Sequence, residues 1–482
     1  MSLSSKQIAK NTSFFTLANI LQKIVAFFYV AIISRIIGPS NLGIYTYALS
    51  FTSIFGIFID IGFEKVLIRE TAKNKEKAQD FFSNILGIKL PLSFLTLVII
   101  FLITYFQNYP PLTKGLIYIS AFLMSLDSFN LSMECVLRGF QNLKYESISV
   151  VVCQVATFII GIAGILINKN NLKILIIALL IGSLWRFFFA LTVLVKKFNI
   201  YPKLKYDKNI LRFLFKISFP FAITGVFLKI YSYADSVLLF NMAGETAAGL
   251  YGLPYRAVTA FQFIPMAFMA ALFPALSFYY ISSKESLKKT FEISLIYLSV
   301  ICFPIIFGVI VLSKEIILKF FGEAFSPSIF ALQILISNLL FIFLDFPAGT
   351  VLNACDREKV NTMLMGFAMV INIISNLILI PRYTFIGASI SMIISTLFLV
   401  ITRGYYSYKI VEFNLTRVLV KIAKALIAAS LMGAVVWYLK GFVNFYLVIL
   451  IGVIIYPTIL FLIKGIENRD VKLIYESLRH KV

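Results

Sequence analysis

Residues 92–103 read LSFLTLVIIFLI and residues 447–463 read LVILIGVIIYPTILFLI. Neither stretch carries a charge or alternates apolar with polar residues. They belong to apolar runs of about 20 residues, the length that crosses a hydrocarbon core of about 30 Å as helix. Membrane-spanning strands would be shorter and would alternate. In lipid the backbone must also satisfy its own hydrogen bonds, so these runs are helices. Of the 482 residues, 60% are hydrophobic and 14% charged, whereas a soluble domain carries about 25% charged residues. The pattern predicts an all-α integral membrane protein with about 14 transmembrane helices, at 11–34, 41–63, 81–106, 115–137, 147–167, 173–195, 212–240, 247–279, 290–313, 328–352, 359–380, 384–407, 417–439 and 443–464. The connections between them are short and polar.

The formal net charge is +22, from 44 Lys and Arg against 22 Asp and Glu. Most of the cations fall in alternate connections: the N-terminus, 64–80, 138–146, 196–212, 281–289, 353–359, 409–421 and the tail from 464. The intervening connections hold few, among them Arg35, Lys114 and Lys440. That bias predicts a multi-pass protein of the plasma (inner) membrane with the first set of loops, and both termini, in the cytoplasm. The charge is then topology and contact with lipid headgroups. No arginine-rich arm or aromatic groove points to nucleic acid. Cys135, Cys153, Cys302 and Cys355 lack metal-site spacing and read as packing residues. His480 is the single histidine, which excludes a Ser-His-Asp triad and a multi-histidine metal site. No metal and no cofactor is expected. A membrane-embedded glycosyltransferase or polymerase would carry a large carboxylate-bearing loop, so the expectation is a protein that is not an enzyme. The first apolar stretch is interrupted by Asn19, Gln22 and Lys23 and lacks a small-residue cleavage site, so it reads as a retained helix.

Gly38-Pro-Ser-Asn-Leu-Gly43-Ile44-Tyr45 returns 206 residues later as Gly244-Glu-Thr-Ala-Ala-Gly249-Leu250-Tyr251. The same register pairs Lys10 with Lys216, Lys23 with Lys229 and Ile24 with Ile230. Helices 7–12 therefore read as a copy of helices 1–6. Six is an even number, so the copies point the same way across the membrane, and parallel repeats are a transporter architecture with the substrate site at the repeat interface. The expected organisation is an N-terminal lobe at 1–195, a basic cytoplasmic linker at 196–211, a C-terminal lobe at 212–407, a final helix pair at 408–464 and a cytoplasmic tail at 465–482. The two six-helix lobes would surround a central cavity.

Charges inside spans are expensive, so each needs a reason. Lys216, Arg403 and Lys424 lie near span ends and are expected to snorkel, as is Lys89 less easily. Lys23 and Lys229 lie near mid-helix at repeat-related positions, and a wet cavity or a partner would explain them. Arg256 lies in helix 8, and Arg35 ends helix 1 on the outer side. A cation pair in a low-dielectric cavity attracts a compact anion such as phosphate or diphosphate. Asn19 and Gln22 beside Lys23, and Tyr251, Tyr255 and Gln262 at helical spacing, offer amides, hydroxyls and aromatic faces of the kind sugars bind. An aromatic packing stripe is the plainer reading of the latter group. Asp60, Asp127, Asp235 and Asp345 are candidates to carry a coupling proton or sodium ion; equally, Asp127 and Asp345 could simply neutralise a basic residue, and Asp60 could be a polar helix end. No Gly-x-x-x-x-Gly-Lys-Ser/Thr motif is present, so ATP hydrolysis by this chain is not expected.

The stretch Ile33-Ser-Arg35-Ile-Ile-Gly38-Pro39-Ser-Asn-Leu-Gly43-Ile-Tyr45 resembles the first-loop signature of the Wzx-type oligosaccharide flippases, in the multidrug/oligosaccharidyl-lipid/polysaccharide exporter superfamily. Gly62-Phe-Glu-Lys-Val-Leu-Ile-Arg69-Glu70 resembles the segment after their second helix, and Leu137-Arg138-Gly139 their loop after helix 4. The resemblance implies flipping of a polyprenyl-diphosphate-linked oligosaccharide from the cytoplasmic to the outer leaflet, for O-antigen, capsule or exopolysaccharide assembly. It implies a cationic cavity, with Lys23, Arg35, Lys229 and Arg256 as candidates, and ion or potential coupling. Membrane lipids, and the polymerase and glycosyltransferases of the same pathway, are the implied neighbours. Peptidoglycan lipid precursor flippases and cation-coupled multidrug exporters are the alternatives within the superfamily. Basic residues at the cavity positions speak against an exporter of cationic drugs.

Overall fold

The structure is a computed structural model that describes residues 5–169 and 171–465, with side chains from residue 14 onward. Its regular elements among these residues are all helices. The chain divides into two compact units, Met1–Gly249 and Leu250–Val482. The protein is a multi-pass, all-α membrane protein.

Eleven helical segments among the described residues are long and apolar enough to cross a membrane. Three of them, Phe14–Asp60, Lys208–Ser282 and Glu358–Val411, are 47, 75 and 54 residues long. A single crossing needs about 20 residues, so each has the length for two. Each also contains a residue outside helical geometry: Gly38 (φ 74°, ψ 176°), Gly244 (φ 86°, ψ 175°) and Thr384 (φ 50°, ψ −128°). Positive φ is open to glycine because it lacks a Cβ. Pro39, directly after Gly38, can begin a helix because its missing N–H would have no partner in the first turn. Gly38 and Gly244 are the residues that the 206-residue repeat pairs, and they share one backbone conformation.

In the first unit a core of Phe63, Phe82, Ile85, Met133, Val136 and Leu194 joins the helices Ala78–Phe106, Pro111–Gly139 and Lys173–Phe198. In the second unit the last two helices, Leu415–Leu439 and Phe445–Leu462, close on Lys284–Val311. Ala425, Ala428 and Ala429 make that contact, and the Tyr456 hydroxyl donates to the Val300 carbonyl at 2.7 Å. Without a hydrophobic force between helices in lipid, small side chains that allow close approach and hydrogen bonds of this kind hold them together. Large apolar side chains remain on the outside, among them Phe94, Phe106 and Trp437. Lipid is the solvent they fit.

Candidate functional site: a charged cavity in the first unit

The helix Pro111–Gly139 carries Asp127, Ser128, Asn130 and Glu134 in its apolar run. Successive helical residues point about 100° apart, so this polar group splits between two neighbours. Ser128 faces the end of the first long segment and the helix Ala78–Phe106. Asp127, Asn130 and Glu134 face the helix Lys173–Phe198.

On the first side, Asp60 ends a short helical stretch, Ile57–Asp60, because Ile61 and Gly62 both turn left-handed. Lys89 is fully buried against it. Its ammonium donates to Asp60 Oδ1 (2.8 Å), the Ser128 carbonyl (2.9 Å) and Ser128 Oγ (3.0 Å). An ammonium has three protons, and here each has an acceptor. Ser128 Oγ in turn donates to Asp60 Oδ1 at 2.5 Å. The sequence expectation that Lys89 snorkels to a membrane surface is therefore corrected: its partners lie inside, and they remove the reason to reach for water.

On the second side, Arg186 holds Glu134 with two bonds of 2.5 Å, from Nε and Nη2, and lies 3.9 Å from Asp127. Ser183 Oγ donates to Asp127 Oδ1 at 2.6 Å, and Asn130 Nδ2 donates to Ser183 Oγ at 2.9 Å. Glu134 is buried, whereas the Asp127 side chain keeps 47% of its surface exposed. Asp127 is thus the open end of an otherwise sealed network.

Asp60, Asp127 and Ser128 meet in a cavity of about 230 Å³ within this unit. Thr52 and Ser53 add hydroxyls, and Lys229 and Tyr233 line it from the helix that starts at Lys208. The Lys229 ammonium lies 5.9 Å from the centre of the Tyr233 ring. Lys89 already answers the charge of Asp60, so the exposed charges facing the space are one ammonium, Lys229, and one carboxylate, Asp127. Such a cavity can grip a phosphate oxygen at one point and accept sugar hydroxyls or a cation at another. Glu64 lies just past the spanning segment, half-buried; burial first, and the nearby Asp60 carboxylate second, push its carboxyl above the usual range.

The other expected residues are placed as follows. Lys23 is exposed and is not among the residues lining this cavity. Asn19 spends its amide on the Phe15 carbonyl at 2.8 Å, and Gln22 is half-buried. Arg35 is exposed. Asp235 is buried. In the second unit Arg256, Tyr255 and Gln262 are half-buried; Tyr251 is fully buried, stacked on Tyr255 with its hydroxyl 3.9 Å from Met392 Sδ. Asp345 is held by Arg403 Nη1 at 2.6 Å. Arg403 is buried as well, so the expectation that it snorkels is corrected in the same way as for Lys89.

Sequence reading singled out Lys89, Arg186 and Glu134 as charges within spans but did not pair Lys89 with Asp60 and Ser128, or Arg186 with Glu134. A signal existed: Asp127 and Glu134 are seven residues apart, two helical turns on one face, in a run that should be apolar. It also missed a second cluster in the same unit. Tyr47 stacks on Phe240, ring centres 3.9 Å apart, and its hydroxyl meets that of Tyr109 at 2.5 Å. Tyr109 donates on to Asn241 at 3.2 Å, and Ser40 donates to the Glu245 carboxylate.

The polysaccharide biosynthesis protein family matches residues 8–280, more than half of the chain, and the chain belongs to that family. It is similar to the "Capsular polysaccharide biosynthesis protein CapF" of Staphylococcus aureus, 23% identical over 83% of this chain and 99% of that one. It is also similar to the "Probable low-salt glycan biosynthesis flippase Agl15" of Haloferax volcanii, 21% identical over 96% of this chain and 98% of the other. Among solved structures, the "Lipid II flippase MurJ, inward closed conformation" superposes with a TM-score of 0.73 at 18% identity, covering 92% of this chain and 97% of that one. That last likeness is one of fold. The chain is thus a multi-pass membrane protein of the polysaccharide biosynthesis protein family, with the fold seen in that flippase structure.

Proposed function

We propose that this protein flips a polyprenyl-diphosphate-linked oligosaccharide from the cytoplasmic to the outer leaflet by alternating access, for O-antigen, capsule or exopolysaccharide assembly. The observation that carries the reading is the cavity in which Lys229 stands with Asp127, Ser128, Thr52, Ser53 and Tyr233. An ammonium suits a diphosphate, and the hydroxyls and carboxylate suit a glycan. The printed names of CapF and Agl15 point the same way. Lys23, Arg35 and Arg256 serve as further phosphate contacts, and Asn19, Gln22, Tyr255 and Gln262 as sugar contacts, with the fully buried Tyr251 supporting Tyr255 by stacking on it. Asp127 is the first choice for a coupling proton or sodium ion, ahead of Asp60, Asp235 and Asp345, because its carboxylate is open to the cavity.

The accompanying topology is 14 spans, with lobes at 1–195 and 212–407, a linker at 196–211 and a final pair at 408–464. The termini lie in the cytoplasm of a cell with a plasma (inner) membrane. The tail, 465–482, falls almost wholly outside the described residues. Glycosyltransferases and a polymerase of the same pathway would make and consume the cargo.

The test is transfer of a labelled polyprenyl-diphosphate oligosaccharide across proteoliposomes containing the purified protein. Leaflet exchange above that of protein-free vesicles is expected; a rate equal to theirs overturns the reading. The alternative of a cation-coupled drug exporter draws on Asp60 and Asp127. Lys89 bonds Asp60 and Arg186 stands 3.9 Å from Asp127, so each carboxylate already has a cation beside it, whereas Lys229 has no carboxylate bonded to it among the described residues.

A further inference from the structure

The connection after the helix Lys173–Phe198 is sewn to another part of the first unit. Residues 199–207 have no regular secondary structure, yet they are fastened along the helix Ala78–Phe106. Gln79 Nε2 donates to the Tyr201 carbonyl (2.8 Å), and the Tyr201 amide donates back to Gln79 Oε1 (2.7 Å). Further on, Lys205 Nζ donates to Asp80 (2.8 Å), the Asp207 amide to Asn84 Oδ1 (2.7 Å) and the Tyr206 hydroxyl to the Gly87 carbonyl (3.0 Å). Gly87 permits the close approach, since an added Cβ would stand 2.5 Å from the Lys205 carbonyl. The segment is a strap.

Beneath the strap lies an apolar groove of about 170 Å³. Its floor is Phe82, Leu86 and Met133, all buried. Phe187 and Leu191 form one wall, and Pro202 and Leu204 of the strap form another. Leu90 and Leu204 are half-exposed at its rim, so the groove opens outward. Cations surround one end in sequence. Lys203 and Lys205 flank Leu204, while Lys196 and Lys197 close the helix that supplies Phe187 and Leu191. Lys205 is spent on Asp80 and Lys197 on the Tyr145 hydroxyl, which leaves Lys196 and Lys203 exposed.

An apolar slot whose walls are followed or flanked in sequence by exposed lysines has the two-part chemistry of an acidic lipid. We propose that this groove seats an acyl chain of an anionic phospholipid from the surrounding leaflet, its phosphate held by Lys203 and Lys196. The strap keeps the groove formed in advance, so binding requires little ordering of the protein. The site is separate from the cavity around Lys229 and does not depend on the cargo proposed above.

Native mass spectrometry of the full-length protein, titrated in detergent with phosphatidylglycerol or phosphatidylcholine, tests this. The wild type should retain phosphatidylglycerol preferentially. Lys196→Glu with Lys203→Glu should weaken its apparent affinity about thirtyfold or more, as expected when two basic groups near a headgroup are each worth about 1 kcal/mol. Leu204→Trp, a rim substitution that leaves the buried floor untouched, should reduce retention of both lipids by blocking the slot. Equal retention of the two lipids by the wild type, or unchanged phosphatidylglycerol retention in both variants, overturns the proposal. So does displacement of the phospholipid by polyprenyl phosphate at equal concentration, which would give the groove to an isoprenoid chain.

Discussion

Gly43 and Gly249 pack against each other backbone to backbone. A Cβ added to Gly43 would collide with the carbonyl of Glu245 and stand 2.9 Å from the Gly249 amide nitrogen. A Cβ added to Gly249 would collide with the carbonyl of Pro39 and stand 3.0 Å from the Gly43 nitrogen. The contacts are reciprocal, and each residue lies 206 positions from its counterpart. A local two-fold relation thus joins the segments that follow the breaks at Gly38 and Gly244. Ser40 with Glu245, and Tyr47 with Phe240, tighten the same junction.

Any side chain at these glycines must push two backbones apart. Gly43→Val and Gly249→Val should each lower stability by about 1–3 kcal/mol, the usual cost of overpacking. Gly308→Ala, where an added Cβ meets nothing within 4 Å, should be neutral or slightly stabilising. Thermal unfolding in detergent, followed by loss of the monodisperse peak, separates the two outcomes.

Lys89 and Asp60 answer each other inside the helices. Lys89→Met should cost about 3–5 kcal/mol, because it strands a buried carboxylate. Adding Asp60→Asn should recover much of that loss, since the charge left unpaired is then gone. A double-mutant cycle on thermal stability measures the coupling; additive losses would show that the two do not act as a pair.

Two arginines, one in each unit, hold carboxylates with different fit. Arg186 binds Glu134 through two nitrogens, whereas Arg403 reaches Asp345 through one, and Asp345 Oδ1 and Arg403 Nε have no partner. Lysine cannot reproduce a two-pronged contact. Arg186→Lys should therefore cost about 1.5–3 kcal/mol, the range for hydrogen bonds to charged groups, and Arg403→Lys less. Denaturation midpoints of the two variants decide the order.

Glu64 supplies a pH dependence. Burial raises its folded-state value above the ordinary carboxylate range, with Asp60 adding to the rise and Lys89, Lys229 and Arg138 opposing it. The folded protein then holds a proton that the unfolded chain has released, so this group's contribution falls as pH rises from the ordinary carboxylate value through the raised one. Glu64→Gln should remove that decline and match or exceed wild-type stability at neutral pH. Melting temperatures across the acidic-to-neutral range would show it; a variant less stable than wild type at neutral pH would contradict it.

The helices were legible in sequence because lipid imposes one solution on an uncharged run such as 447–463. The breaks were legible because Gly38 and Gly244 repeat with their flanking residues. The cavity was only half legible. Lys229 stood out as a charge in mid-span, but Lys89 was assigned to the surface because its partners, Asp60 and Ser128, lie 29 and 39 positions away. Arg403 was misplaced for the same reason, with Asp345 58 positions distant. Charge pairing between helices depends on which faces meet, and a single sequence shows the faces but not the meeting. The repeat likewise tied Lys23 to Lys229, yet only Lys229 lines the cavity described.

The most direct measurement is the rate at which proteoliposomes containing Lys229→Ala move a labelled polyprenyl-diphosphate oligosaccharide between leaflets, beside the wild type at equal protein density. Losing a charge-assisted contact to phosphate is expected to slow translocation about tenfold or more, with the protein still folded and monodisperse. Wild-type rates from Lys229→Ala would contradict the account, because the cavity would then have no part in holding the cargo.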